Sequence, residues 1–201
     1  MYELEATADV LLMTGPGQSS AAQPSTSASV TQKSEEAMLI RAVLEGDLDK
    51  YGRLYHLYSP LVHGVLLARI PRSEVEDMVQ EIFLHALKKL STLRDTGSFG
   101  PWIAMIARNR AMDFHRKSRE TVEITDDLRS NDSSGPKAAE ILEIIRSLPD
   151  AYRETLVLRL VEGMTGPEIA TRTGLTAASV RVNLHRGMKL LRGKLGFKEG
   201  L

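Results

Sequence analysis

The chain has 201 residues, 42% of them hydrophobic and 26% charged, with 26 basic and 26 acidic side chains and a formal net charge of zero; this allows one or two small soluble domains and excludes a generic polycation. There is no cysteine, so disulfides, thiolate metal sites and cysteine nucleophiles are excluded, and a reducing cytoplasm is the expected compartment. No apolar run approaches the ~20 residues of a membrane span, and an N-terminus opening on Glu3, Glu5 and Asp9 lacks the basic start of a signal peptide.

Residues 1–34 are rich in Ser, Ala, Thr, Gln, Gly and Pro and carry no periodic apolar positions after Met13, so they are expected to be a disordered extension. From Glu35 onward the spacing is helical. Met38, Leu39, Val43 and Leu44 make a short amphipathic face that ends near Gly46. Leu54, Leu57, Tyr58, Leu61, Val62, Val65 and Leu66 make a longer one, which Pro60 is expected to kink or restart. Ser73 and Glu76 have the spacing of a capping box for a third helix, whose apolar stripe includes Val75, Val79, Ile82, Phe83 and Ala86. A loop follows over 91–98, then a fourth helix from Phe99 to Arg119, in which Trp102 and Ile106, one turn apart, are assigned to the core. Residues 119–137 read as a flexible acidic linker. The last segment, 138–198, predicts helices over 138–148 and 149–162 and then a helix-turn-helix. No stretch alternates at period two. The fold class is therefore all-α, with two small helical domains over 35–118 and 138–198.

The helix-turn-helix carries the clearest local chemistry. Thr165 and Glu168 form a T-x-x-E capping box, Pro167 falls in the first turn, Gly174 stops the helix, and Thr176 caps the next from Ala177 to about Lys194. Val180, Leu184, Gly187 and Leu191 would face a core. Ala178, Arg181, Val182, His185, Arg186 and Lys189 project elsewhere, and from Arg181 to Lys198 there are six basic residues and no acidic one. Such a helix suits the major groove, although a plain solvated basic face has the same pattern.

Charge also segregates upstream. Asp77, Gln80, Glu81 and Leu84 form one stripe of the third helix, distinct from its apolar stripe. Arg108, Arg110, Arg116, Lys117 and Arg119 make the fourth helix basic and suited to phosphates. Asn109 has the donor and acceptor needed to read a base edge. Asp113 is placed to pair with Arg110, Arg116 or Lys117. There is no H-E-x-x-H, no phosphate-binding G-K-[ST] loop and no G-x-S-x-G, and the five histidines are scattered. No catalytic residue, metal ligand or cofactor is expected.

Two stretches together resemble bacterial RNA polymerase sigma factors of the sigma-70 family, extracytoplasmic-function group. EDMVQEIFLHALKKL (76–90) followed by FGPWIAMIARNRAMDFHRK (99–117) is similar to sigma region 2, and LPDAYRETLVLRLVEGMTGPEIATRTGLTAASVRVNLHRGMKLLR (148–192) to region 4. The resemblance implies that Asp77, Gln80, Glu81 and Leu84 dock on a coiled coil of the largest subunit of core RNA polymerase, and that region 4 meets the polymerase flap. It implies that Arg94, Asp95, Ser98, Phe99, Arg108, Asn109, Arg116 and Lys117 engage the −10 element, where a non-template base is flipped out during melting. It assigns Ala178, Ser179, Arg181, Val182, His185, Arg186 and Lys189 to the −35 element, with Arg181 as the base contact and Arg186 and Lys189 on phosphates. The acidic linker would thread the polymerase cleft, or serve only as a tether. An anti-sigma factor is the further partner implied; membrane insertion is not. The alternative is a freestanding helix-turn-helix regulator that binds duplex DNA without polymerase, from which the polar stripe at 77–84 discriminates.

Overall fold

A computed structural model describes residues 25–121 and 136–196, with side chains described over 34–117 and 138–196. The expectations for residues 1–24, for most of the acidic linker and for the Arg119 side chain lie outside those limits. Among the described residues there are helices and short 3-10 turns and no strand, as the absence of period-two patterning predicts.

Among the described residues eight α-helices carry the fold: α1 (Ser25–Leu44), α2 (Asp49–Leu67), α3 (Val75–Lys89), α4 (Phe99–Thr121), α5 (Pro136–Arg146), α6 (Asp150–Leu160), α7 (Gly166–Thr173) and α8 (Ala177–Lys194). α1 begins within the 1–34 segment expected to be disordered. Helix growth adds one hydrogen bond per residue once a turn exists, and the buried Leu39, Ile40 and Val43 supply that anchored turn.

α2 is the hub. Leu54, Tyr58, Leu61, Val62, Val65, Leu66 and Leu67 are buried around more than one side of it, as expected of a helix packed on several neighbours. It meets α1, α3 and α4 and, from the C-terminal half, α6. No new helix starts at Pro60, which lies inside α2. A proline removes the donor for the carbonyl four residues back; that residue, His56, is exposed, where water can serve.

The Ser73–Glu76 capping box does not form. Residues Arg72–Glu74 take a 3-10 turn, the N-cap of α3 is Glu74, and it makes no side-chain cap bond. The early N–H groups turn to i−3 carbonyls, as in Glu74 N–H to Pro71 O at 3.1 Å, while Glu76 faces His63 at 3.6 Å.

The two groups of helices, α1–α4 and α5–α8, share one continuous apolar core. α6 packs on α2, and α7 on α4. Arg146 donates to the carbonyls of Leu67 (2.9 Å) and Ile70 (2.8 Å), and Arg172 to that of Leu57 (2.8 Å). Gly64 permits the close approach: a Cβ there would come within 2.7 Å of Leu158 and 2.9 Å of Glu162.

Candidate nucleic-acid interface

The helix-turn-helix is fixed by its own short-range bonds. Thr165 N–H donates to Glu168 Oε2 at 2.8 Å and Glu168 N–H to Thr165 Oγ1 at 3.4 Å, closing the reciprocal cap. The Thr165 N–H first, and then the Thr165 hydroxyl 2.7 Å from the same Oε2, hold the Glu168 carboxyl below its usual pKa. Gly174 ends α7 at φ +78°, a left-handed conformation that side chains resist. Thr176 Oγ1 then accepts the Ser179 N–H at 3.1 Å and starts α8.

With both caps set, α8 has a fixed rotation. Val180, Gly187 and Leu191 are buried, and the side chains of Leu156 and Tyr152 lie where a Cβ on Gly187 would meet them at 3.1–3.2 Å. Ala178, Arg181, Val182, His185, Arg186 and Lys189 are all exposed on the remaining surface. Ser179 is half-buried and committed to the cap, its hydroxyl 2.8 Å from that of Thr176.

The second group of residues centres on the loop before α4. Asp95 accepts the Gly97 N–H at 3.0 Å and the Ser98 hydroxyl at 2.5 Å, so both predicted residues serve to shape the 96–98 turn. Beside it is an open concavity of about 420 Å³ lined by Thr92, Leu93, Arg94, Asp95, Ser98, Pro101, Trp102 and Met105. Arg94 is exposed at its edge.

Phe99, which the resemblance assigns to the −10 element, is turned inward. It is fully buried, against the rings of Tyr58 (5.1 Å) and Trp102 (5.7 Å), because the first turn of α4 points it into the core. Trp102 is half-buried: it packs on the core and also lines the concavity, so the assignment to the core covers only one of its faces. Pro101 and Met105, which complete that wall, were not singled out by sequence; their i, i+4 spacing directly after the loop is the available signal.

Further along α4, Asn109 and Lys117 are exposed. Arg116 is exposed and pairs with Asp113 at 3.1 Å, one of the partners the sequence offered. Arg108 is turned inward to Glu154 of α6. Sequence reasoning did not single out Glu154; its signal is an acid just before the apolar run Leu156–Leu158.

On α3 the polar stripe is as spaced in the sequence. Asp77, Gln80, Glu81 and Leu84 are exposed, while Val75, Val79, Ile82, Phe83 and Ala86 are buried. Leu84, 60% exposed at the end of this stripe, one turn after Gln80 and Glu81, is an uncovered apolar point on a charged surface.

Comparison with known proteins gives these surfaces a common frame. Residues 54–121 match the family model for sigma-70 region 2, and residues 138–191 that for sigma-70 region 4. The extracytoplasmic-function RNA polymerase sigma factor BldN of Streptomyces coelicolor is 29% identical over 166 residues, covering 76% of this chain and 63% of BldN; the chain thus spans less than two thirds of that relative. RNA polymerase sigma factor CarQ of Myxococcus xanthus is 30% identical over 162 residues, covering 76% of this chain and 92% of CarQ. In fold, the chain is similar to CnrH as solved in complex with the cytosolic domain of CnrY, with a TM-score of 0.58 at 23% identity over 80% of this chain and 97% of that one. With both regions matched in order and a relative covered almost throughout, the chain belongs to the sigma-70 family of RNA polymerase sigma factors, in its extracytoplasmic-function group.

Proposed function

We propose that this chain is a promoter-specificity subunit that binds core RNA polymerase, recognises −10 and −35 elements and promotes melting at the start of transcription. The observation that carries the reading is the pairing of two separate exposed faces, polar and acidic on α3 and basic on α8, in a chain of this family. Asp77, Gln80, Glu81 and Leu84 dock on the coiled coil of the largest polymerase subunit, and the C-terminal helices meet the flap. Ala178, Arg181, Val182, His185, Arg186 and Lys189 enter the major groove of the −35 element. There Arg181 grips guanine through two hydrogen bonds, Val182 meets a thymine methyl, and Arg186 and Lys189 neutralise phosphates.

At the −10 element, Asn109, Arg116 and Lys117 track the strand from α4, and the concavity beside Arg94, Trp102 and Met105 receives a flipped non-template base. Removing a base from the stack costs a few kcal/mol, which a shaped pocket recovers. Ser179, Asp95 and Ser98 shape these surfaces by holding turns. The work is binding and melting; it asks no catalytic group, metal or cofactor of this chain, and its place is the cytoplasm, where the polymerase is. No helix among the described residues is long and apolar enough to cross a membrane. An anti-sigma protein is the regulatory partner that the family assignment favours.

Run-off transcription with purified core polymerase on a genomic promoter library tests this reading and yields the motif. Asp77→Ala is expected to weaken polymerase binding and leave −35 duplex affinity intact. A chain that binds duplex DNA but fails to associate with core polymerase at low salt would instead be a freestanding regulator.

A further inference from the structure

Beneath the loop that precedes α4 lies a carboxylate that the functions above do not use. Glu36 of α1 is 4% exposed and stands outside residues 54–121, the part matched to region 2. Its Oε1 accepts the Phe99 N–H at 2.7 Å, and its Oε2 accepts the Tyr58 hydroxyl. Phe99 is the first residue of α4, and the first N–H groups of a helix have no acceptor within it. A carboxylate supplied from another helix satisfies one of them and lies at the positive end of the helix dipole. Burial, the neighbouring Glu36 charge and its hydrogen bond push the Tyr58 hydroxyl pKa well above its ordinary value, so it remains a donor.

Two routes run from this carboxylate to the concavity. One is the main chain: Phe99 directly follows the 96–98 turn that Asp95 and Ser98 shape. The other is a row of rings, Tyr58 edge-on to Phe99 at 5.1 Å and Phe99 tilted against Trp102 at 5.7 Å, with Trp102 in the wall of the concavity. A buried carboxylate is an inefficient source of stability, because desolvation offsets most of what its partners return. What it adds over an apolar side chain is direction, two acceptors in fixed geometry.

We propose that Glu36 is a positioning residue for the −10 pocket: by holding the first N–H of α4 and the Tyr58 hydroxyl together, it sets the loop wall (Arg94, Asp95, Ser98) against the helix wall (Trp102, Met105). This rests on the promoter reading above. It places a determinant of base selection on a helix that contributes no side chain to the pocket.

The test uses the full chain assembled with core polymerase and a set of single-stranded −10 oligonucleotides, differing by one base at each position. Glu36→Met keeps the volume and removes both acceptors; it is expected to reduce discrimination at the pocket position about tenfold, since sub-ångström placement governs such readout. Core-polymerase affinity and −35 duplex affinity stay unchanged. Glu36→Gln retains an oxygen for the Phe99 N–H and is expected to rescue discrimination. Should the Met variant not fold, Tyr58→Phe, which removes only the hydroxyl on Oε2, takes its place and is expected to lower discrimination measurably. Full discrimination in the Met or Phe variant overturns the proposal. So does a parallel loss of polymerase, −35 and −10 binding, which marks a merely structural role. A wild type that binds no −10 strand defeats the promoter reading itself, an outcome distinct from either.

Discussion

Arg108 and Glu154, 46 residues apart, form a two-point ion pair across the two groups of helices, with Nη2 at 2.7 Å from Oε1 and Nε at 3.1 Å from Oε2. The flat guanidinium matches the carboxylate edge, the strongest of the common charge-assisted geometries. Arg69 adds a third contact, 2.6 Å from Oε2, and the Glu154 side chain is only 7% exposed. Burial by itself would raise the Glu154 pKa; the hydrogen bond from Arg108 and the positive charges of Arg69 and Arg108 outweigh it and hold the carboxyl below its usual range. A guanidinium forked on a carboxylate is not available to a phosphate, so a DNA contact by Arg108 requires this pair to be exchanged.

Glu154→Gln is therefore expected to destabilise the chain by about 3 kcal/mol, because it leaves guanidinium groups in a largely buried site without their counter-charge. Denaturant unfolding at neutral pH reads this directly. Since the folded pKa is depressed, the stabilisation is present above the ordinary Glu value and is lost as pH falls through the lowered folded one. The acid limb of the wild-type stability profile should be correspondingly flatter in the variant. Equal stability of the two proteins would show that the pair holds nothing together.

His63 gives a second, opposite pH dependence. On α2, its Nδ1 lies 2.6 Å from Glu162 Oε1 and its Nε2 3.6 Å from Glu76 Oε1, with Arg72 as the opposing charge. The hydrogen bond to Glu162 raises its pKa above the ordinary 6.5, burial acts against this, and the two carboxylate charges add to the rise. A raised folded pKa gives stability that is complete below 6.5 and disappears as pH climbs through the folded value. The unfolding midpoint should fall over that window in the wild type and stay level in His63→Gln. Identical profiles would remove His63 from the account.

The reciprocal cap of α7 can be tested in isolation. Thr165→Ala removes the hydroxyl that accepts the Glu168 N–H and is expected to cost about 1 kcal/mol. Amide exchange at Glu168 should accelerate, and −35 affinity should fall because α8 follows one short turn later. Unaltered exchange would mean that tertiary packing alone holds the start of α7.

Within α8, arginine and lysine should separate by role. Arg181→Ala is expected to lower discrimination among −35 sequences by about 1–3 kcal/mol, while Lys189→Ala weakens all sequences alike and reduces the salt slope by about one. Competition binding over single-base variants at several salt concentrations distinguishes them. A uniform loss in the Arg181 variant would move that residue to the phosphates.

Features that depend on neighbours within a turn or two are legible in the chain of residues alone. Thr165, Glu168, Gly174 and Thr176 announce the helix-turn-helix because caps and left-handed glycines act locally. Val180, Gly187 and Leu191 fix which side of α8 is exposed, and the same periodicity separates Asp77–Leu84 from the buried stripe of α3. The spacing of Ser73 and Glu76 was equally good, yet the 3-10 turn and the pull of His63 on Glu76 prevailed. Long-range packing, by contrast, settles that Phe99 is buried, that Arg108 faces Glu154 and that Glu36 holds the start of α4. These partners stand 46 and 63 residues apart in the chain. Helical periodicity says which way a side chain points along its own axis; what waits there depends on how separate helices pack, and buried charge accepts only the partner that packing delivers.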